Sequence, residues 1–517
     1  MELLTEKHKD KVLGTIGCYD RVVIMGTLPY LCYPSGMTCH LNHLGVRIFD
    51  YAKFAEPFRD LIRKNAENLA RANGLKVHYL ANPDTKTGDV IKAELTRRQK
   101  KGESVEGLFY IISSKEMCSH YRPRYNEKTG ECYLERKWAP CLHYYFYFID
   151  KVLGLCYVRV PTWLPCRLQV YFNGHNWLAA KLRKAGIDYH MADNAFLDIS
   201  DFGKAQEISD RFDVKILHRL LDKFAETFCP IAKRFGINYH WSVMQVEYST
   251  DIVFRRQQDL KEIYDNLVAT AVHTVKPERI ASFLGRKIYG QFKGEMGNRY
   301  DVRKEGIRIK HTMGKVWIKM YDKFQKVLRI EVTATDISHF KHYRKVEHKD
   351  GTTSKKFTSM RKYIYSLRPL IKVAWDVNRR YLEFISTIEE KKVGTKKLRR
   401  VTQRVEENKR GYKGINFFDE KDLKFIRILV RGEFNIYGFR NKDLRKYLTG
   451  KSTGQVSRIL KRLKLHGIIK KTNNAYKYYL TKMGKEVIIA AMKIKEFIII
   501  PALNCEQKKL LPEMCKI

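Results

Sequence analysis

Acidic residues are scarce in this 517-residue chain: 56 Asp plus Glu stand against 99 Lys plus Arg, a formal charge of +43. Self-repulsion on that scale opposes a compact state, so solubility alone does not explain it, and a polyanionic partner is implied. Long apolar runs are missing too. The longest, Val487 to Leu503, is interrupted by Lys493, Lys495 and Glu496, and the run Leu142 to Ile149 is far short of the roughly 20 residues of a spanning helix. No basic amphipathic anchor stands by itself, which points to nucleic acid and away from a membrane surface. The N-terminal MELLTEKHKDKVLG mixes acids and bases where a signal peptide carries an apolar core. Eleven cysteines, scattered and odd in number, make no disulfide framework. A reduced, cytoplasmic setting is the expectation. Gly-rich phosphate loops and dinucleotide fingerprints are absent, so no organic cofactor is expected.

What is present is the composition of a folded protein, 44% hydrophobic and 12% aromatic, which excludes global disorder. The pattern predicts an α+β fold. Residues 1–104 read as an N-terminal α/β unit, with a strand at Arg21–Gly26 and a helix over Phe54–Asn73 whose Phe54, Phe58, Leu61, Ile62 and Leu69 form one face. Residues 105–390 read as a central domain built on an antiparallel sheet: GLFYIISS, CLHYYFYFI, GLCYVRVPTW and CRLQVYFNG are aromatic, β-branched runs bounded by Gly, Pro or Asp. Further strands are expected at 237–254, Gly306–Thr312, Lys315–Tyr321 and Lys326–Ala334, and helix over 355–390. The basic stretch 391–414 lacks apolar periodicity and reads as a linker.

Residues 415–492 carry the order helix, helix, helix, hairpin, helix, that of a winged helix-turn-helix, before a tail at 493–517. Asn441 stands where an N-cap would, Asn473 to Ala475 give a hairpin turn, and Thr481 caps the last helix. In the third helix Val456, Ile459, Leu460, Leu463 and Leu465 form the inner face. Ser452, Thr453, Gln455, Ser457, Arg458, Lys461 and Arg462 are left to face outwards, with Lys470 and Lys471 on the wing, as groove and phosphate contacts require. The module resembles MarR-like and ArsR-like transcription regulators, which implies DNA as the favoured partner, with RNA an alternative.

The segment GIRIKHTMGKVWIKMYDKFQKVLRIEVTAT (306–335) resembles the strand, Tyr-Asp-Lys, strand, Arg-Ile-Glu pattern of plasmid and filamentous-phage replication initiators. That resemblance implies strand nicking by Tyr321, with Lys319 and Lys323 steadying phenolate and phosphate, and a divalent metal such as Mg2+ or Mn2+. No His-x-His pair supplies that metal. The substitutes are His143, two residues from Cys141, and the strand carboxylates Glu247, Asp251 and Glu331; Glu247, Ser249 and Asp251 share one face of a strand. Cys118 and His120, with Cys132 and Cys141 downstream, have only half the spacing of a zinc site. Aromatics interleave with bases in HYRPRY (120–125), FKHYRKVEHK (340–349) and KYIYSLRPLIK (362–372), a mixture suited to stacking bases while cations follow a backbone.

Over nearly its whole length the chain also resembles a widespread bacterial family sharing GVRIFDYAKFA, CLHYYFYFID, RVPTW, NGHN, DNAF and EYSTDIVF, a family that brings no activity with it. The expectation is a nucleic-acid-binding protein, replication-initiator-like or mobile-element-associated. The alternative is a non-catalytic transcription regulator or the protein of a ribonucleoprotein.

Overall fold

The β-branched and aromatic runs of the first 387 residues assemble into one eleven-stranded sheet. Its strands are β1 (Val12–Thr27), β2 (Val77–Leu80), β3 (Gly107–Asn126), β4 (Glu131–Asp150), β5 (Gly154–Pro161), β6 (Leu168–Asn173), β9 (His240–Phe254), β10 (Met296–Arg303), β11 (Gly306–Met313), β12 (Val316–Lys323) and β13 (Val327–Ala334). Two hairpins lie outside it: β7 (Tyr189–Ala192) with β8 (Ala195–Ile199), and β14 (Lys341–Glu347) with β15 (Thr353–Ser359). The sheet order is β10-β11-β12-β13-β9-β1-β6-β5-β4-β3-β2, antiparallel at every step but β2–β3. The structure is a computed structural model and describes residues 4–82, 85–103, 105–286, 295–303, 306–386, 391–472 and 476–500. Two compact units divide the chain, Met1–Thr387 and Ile388–Ile517. Among the described residues, no helix is long and apolar enough to cross a membrane.

One face of the sheet is apolar and covered by helices. Phe146 and Phe148 of β4 meet Phe224 and Phe228 of the helix Val214–Phe228, with ring centroids 4.8 to 5.1 Å apart. The helix Leu367–Ser386 buries Leu370, Ala374, Val377 and Tyr381. Its Asn378 donates to the carbonyls of Tyr248 and Ile330, at 3.2 Å each, fastening helix to sheet. Each fully buried aliphatic or phenyl side chain in this layer contributes about 1.5–3 kcal/mol, which sets this interface as the main source of stability. On the other side the helix Thr87–Lys101 covers one end of the sheet, with Ile91 clustered against Phe109, Ile112 and Tyr147.

Three expectations are corrected here. Residue 104 does not divide the fold, because β1 lies between β9 and β6 in the middle of the sheet. The sequence showed only its second half, since a bulge interrupts the alternation: Tyr19 pairs with Tyr248 and Val22 with Val246, so one extra residue sits in β1. Helix over 355–390 begins only at Leu367, where the apolar stripe starts; Thr353–Ser359, TTSKKFTS in full with its flanking Thr352, is a strand. The stretch 391–414 contains a helix, Lys391–Thr402, and a hairpin, Val405–Glu407 with Arg410–Tyr412, and Val401 and Ile415 anchor it in the core of the C-terminal unit. One apolar anchor within a basic run and another just after it leave no periodic signal.

That unit continues with helices Glu420–Leu429, Gly432–Tyr437, Asn441–Arg445 and Thr453–Leu465, the paired strands Ile469–Lys471 and Tyr478–Leu480, and the helix Lys482–Ile494. Thr481 caps this last helix through the Gly484 amide, but the short helix at 441 is capped by Arg440 and Asp443 while Asn441 reaches across to Ser457. The expected turn at Asn473 to Ala475 and the tail from 501 lie outside the described residues.

Candidate functional site

The bulge in β1 gives the sheet a polar centre. Three residues of β1 span two of β9 there, so Asp20 and Arg21 take the place of one residue and both turn to the side away from the long helices. β9 places Glu247, Ser249 and Asp251 on that same side, and register carries it on to Thr333, Glu331 and Arg329 of β13, then to Lys319 and Tyr321 of β12. Carboxylate oxygens of Asp20, Glu247 and Glu331 lie within 4.8 Å of one another. Glu331 is 1% exposed; it accepts from Lys319 Nζ at 2.5 Å, from the Tyr321 hydroxyl at 2.8 Å and from Thr333 Oγ1 at 3.2 Å. Glu247 faces Lys319 at 3.4 Å.

Asp20 ties this triad to a buried charge cluster. Arg329 donates through Nε and Nη2 to the two oxygens of Asp251 and through Nη1 to Asp20 at 3.2 Å. His175, which follows the helix cap Asn173, has its ring nitrogens 3.3 Å from Asp20 and 3.5 Å from Asp251. The β7–β8 turn closes over the cluster: the Asn194 carbonyl accepts from Arg329 at 2.6 Å and its amide donates to Asp20 at 2.5 Å.

Burial and pairing pull the titrations apart. Burial opposes the charges of Asp20 and Asp251, yet Arg329 and His175 hold both carboxyls below their ordinary range. Burial, and then Arg329, likewise oppose a charged His175, but Cys18, Asp20 and Asp251 prevail and raise it well above an ordinary histidine. Glu247 goes the other way: burial, then the nearby Glu331, push it up to about 7. Lys319 loses to burial but gains more from Glu331 and Glu247, so it stays charged. Tyr321 is raised well above the usual phenol value by burial and by Glu331. Lys323 is lowered by burial and by Arg329. The three acids offer oxygen donors of the kind a hard divalent cation takes, and each is hydrogen-bonded within the chain: Asp20 to Asn173, Asn194 and Arg329, Glu331 to Lys319, Tyr321 and Thr333, and Glu247 to Lys319 and Gln245.

Of the residues singled out in the sequence, Glu247, Glu331, Lys319 and Tyr321 meet. Asp251 does not join them as a free ligand, because both its oxygens are taken by Arg329. Lys323 points towards Asp193, 3.6 Å away. His143 belongs to β4, four strand steps from β9 or about 19 Å, and its Nδ1 lies 3.0 Å from the carbonyl of Cys141. Of the cysteine and histidine set, Cys118 and Cys141 meet side chain to side chain and Cys141 lies 3.8 Å from the His143 ring, but Cys132 pairs with Tyr125, about 23 Å along β3 from Cys118, so the four zinc candidates do not converge. Asp20 and His175 were missed. A bulge has no signature in one sequence, and His175 reaches the centre from the first turn of the helix Gly174–Lys184.

In the C-terminal unit Ser452, Thr453, Gln455, Ser457, Arg458, Lys461, Lys470 and Lys471 are exposed. Arg462 is a correction. It turns inward to Asp422, at 2.7 and 2.9 Å, and to the carbonyls of Lys413 and Gly414, closing the preceding loop onto its helix. Lys461 pairs with Glu407 at 2.8 Å, and Lys471 lies over the Tyr476 ring. Comparison with protein-family models, with curated proteins and with solved structures finds no match to this chain.

Proposed function

We propose that this is a nucleic-acid-binding protein, DNA favoured, that performs metal-assisted phosphodiester chemistry in the manner of replication initiators or mobile-element proteins in the bacterial cytoplasm. The observation that carries the reading is the convergence of Asp20, Glu247 and Glu331 with Lys319 and Tyr321 on the sheet side away from the long helices. Those three acids would hold the cation, which supplies Lewis-acid polarisation of a phosphate. Lys319 places a fixed positive charge against the acids, where charge develops on a scissile phosphate. Tyr321 donates to Glu331, so a proton acceptor is already in contact with the proposed nucleophile. The +43 charge of the chain suits the substrate.

The C-terminal unit, in this reading, is a winged helix-turn-helix that recognises duplex. Supporting it are the helices Asn441–Arg445 and Thr453–Leu465 followed by two paired strands and a last helix, the capping box between Ser452 and Gln455, and the exposed polar first turns of Thr453–Leu465; Gly432–Tyr437 is a helix beyond the expected order. The test is incubation of supercoiled and single-stranded DNA with the protein in Mg2+ or Mn2+, with chelator as control. Metal-dependent nicking that Glu247→Gln abolishes supports the reading; binding without scission under every condition removes the catalytic half.

One observation favours a second reading, a non-catalytic regulator or ribonucleoprotein component. Each acid of the cluster already has a cationic neighbour, Lys319 for Glu247 and Glu331 and Arg329 for Asp20, so charge balance is met by the chain's own residues. Sequencing the nucleic acid that co-purifies without nuclease treatment separates the readings: a single DNA locus fits the first, one abundant structured RNA the second.

A further inference from the structure

The β14–β15 hairpin stands outside the main sheet and carries an arrangement that its own stability does not call for. Its register sets Arg344 opposite Lys356 and Lys345 opposite Lys355, two successive cross-strand pairs of like charge. Such pairs weaken a ladder. Among the described residues none of these four, nor Lys341, has an acidic partner; Arg344 reaches only the backbone carbonyls of Ser359 and Lys345. Between the cations, on the same face as Lys341, Lys345 and Lys355, the cross-strand pair Tyr343 and Phe357 is 66% and 56% exposed, its ring centroids 5.2 Å apart and tilted by 51°.

Two ordinary explanations fall short. A cross-strand aromatic pair steadies a two-stranded hairpin, which accounts for the rings but not for opposed lysines. Lysine on an edge strand discourages aggregation, but one or two suffice, and exposed rings beside them work against that purpose. A ligand bearing both negative charge and flat apolar faces satisfies the whole set.

We propose that the β14–β15 hairpin binds single-stranded nucleic acid, with unpaired bases stacked on Tyr343 and Phe357 and phosphates held by Lys341, Lys345 and Lys355. Stacking platforms flanked by cations serve single strands because their bases are free to leave one another; in a duplex those faces are already used. The proposal rests on the nucleic-acid reading above and adds to it a site in the N-terminal unit, separate from the carboxylate centre.

The experiment uses the full chain and fluorescence anisotropy with a labelled oligothymidylate of about twenty nucleotides, long enough for one binding site, and a duplex of equal length. The variants are Lys345→Gln with Lys355→Gln, and Tyr343→Ala with Phe357→Ala. As control, Lys92→Gln with Lys100→Gln removes the same charge from exposed positions of the helix Thr87–Lys101. The lysine variant should flatten the slope of log K against log salt by about 1.4, since each phosphate contact to a single strand contributes about 0.7. Loss of both rings should weaken oligothymidylate binding by about tenfold or more. The exchange Tyr343→Phe with Phe357→Tyr, which keeps both rings and the hairpin, should bind as wild type. Hairpin variants that match the Lys92/Lys100 control while wild type binds overturn the hairpin assignment and leave the nucleic-acid reading standing. A wild-type protein that binds neither probe overturns both. A loss confined to the duplex overturns the assignment to single strands.

Discussion

Arg329 and Asp251 are cross-strand partners in β13 and β9, joined by two hydrogen bonds, Nε to Oδ1 at 2.7 Å and Nη2 to Oδ2 at 2.6 Å, with neither residue exposed to solvent. The same guanidinium reaches Asp20, so one cation joins Asp251 to a member of the carboxylate triad.

Arg329→Met should destabilise the N-terminal unit by about 3–5 kcal/mol, because it removes the guanidinium that holds two buried acids, Asp251 and Asp20, and leaves them sharing His175. Adding Asp251→Leu should restore part of that loss. Chemical denaturation of both variants reads the difference; a double variant no more stable than the single would show that the ion pair is not what orders this region.

Glu247 sets a pH dependence of opposite sign to an ordinary surface acid. Its folded value, about 7, lies above its ordinary value of 4.5, so between these two the folded state holds more protons than the unfolded one. Stability therefore falls as pH rises through that window. Glu247→Gln should leave stability unchanged at the acidic end and raise it above pH 7, flattening the profile. A cation held by the triad must displace this proton, so Mg2+ or Mn2+ affinity should rise with pH up to about 7 and then level, with proton release visible by calorimetry in buffers of different ionisation heat.

Tyr321→Phe removes the hydroxyl that donates to Glu331 and should cost about 0.5–1.5 kcal/mol. It should also abolish any covalent DNA adduct while leaving DNA affinity unchanged. Persistence of the adduct in denaturing gels would take Tyr321 out of the chemistry and leave it as a support for Glu331.

Arg458 and Arg462 stand one turn apart on one helix with separate expected phenotypes. Arg462→Ala breaks contacts to Asp422, Lys413 and Gly414 and should lower the stability of the C-terminal unit by about 1–3 kcal/mol. Arg458→Ala removes an exposed side chain and should leave the melting temperature in place while weakening duplex binding. A stable Arg462→Ala variant would show that its inward contacts are not needed to close the loop.

Much of this was legible from residue order alone. Period-two runs located most of the sheet strands, because alternate side chains meet different environments, and the helix expected over 355–390 is present over Leu367–Ser386. The shared face of Glu247 and Asp251 followed from strand geometry, and the pairing of Lys319 with Glu331 shows that the segment 306–335 does gather its polar residues. Tertiary structure decided which of these acids stand together. Asp20 enters the centre only because β1 bulges between two strands distant in sequence, and Asp251 leaves it only because Arg329 lies directly opposite. His143 is excluded by strand order, which is a matter of how the chain is threaded through the sheet. Local patterns report the environment of each side chain, so the sequence determined the strands, the helices and the excess of positive charge. Which strands become neighbours, and in what register, depends on contacts made once the chain is closed, and that alone assembled the carboxylate centre.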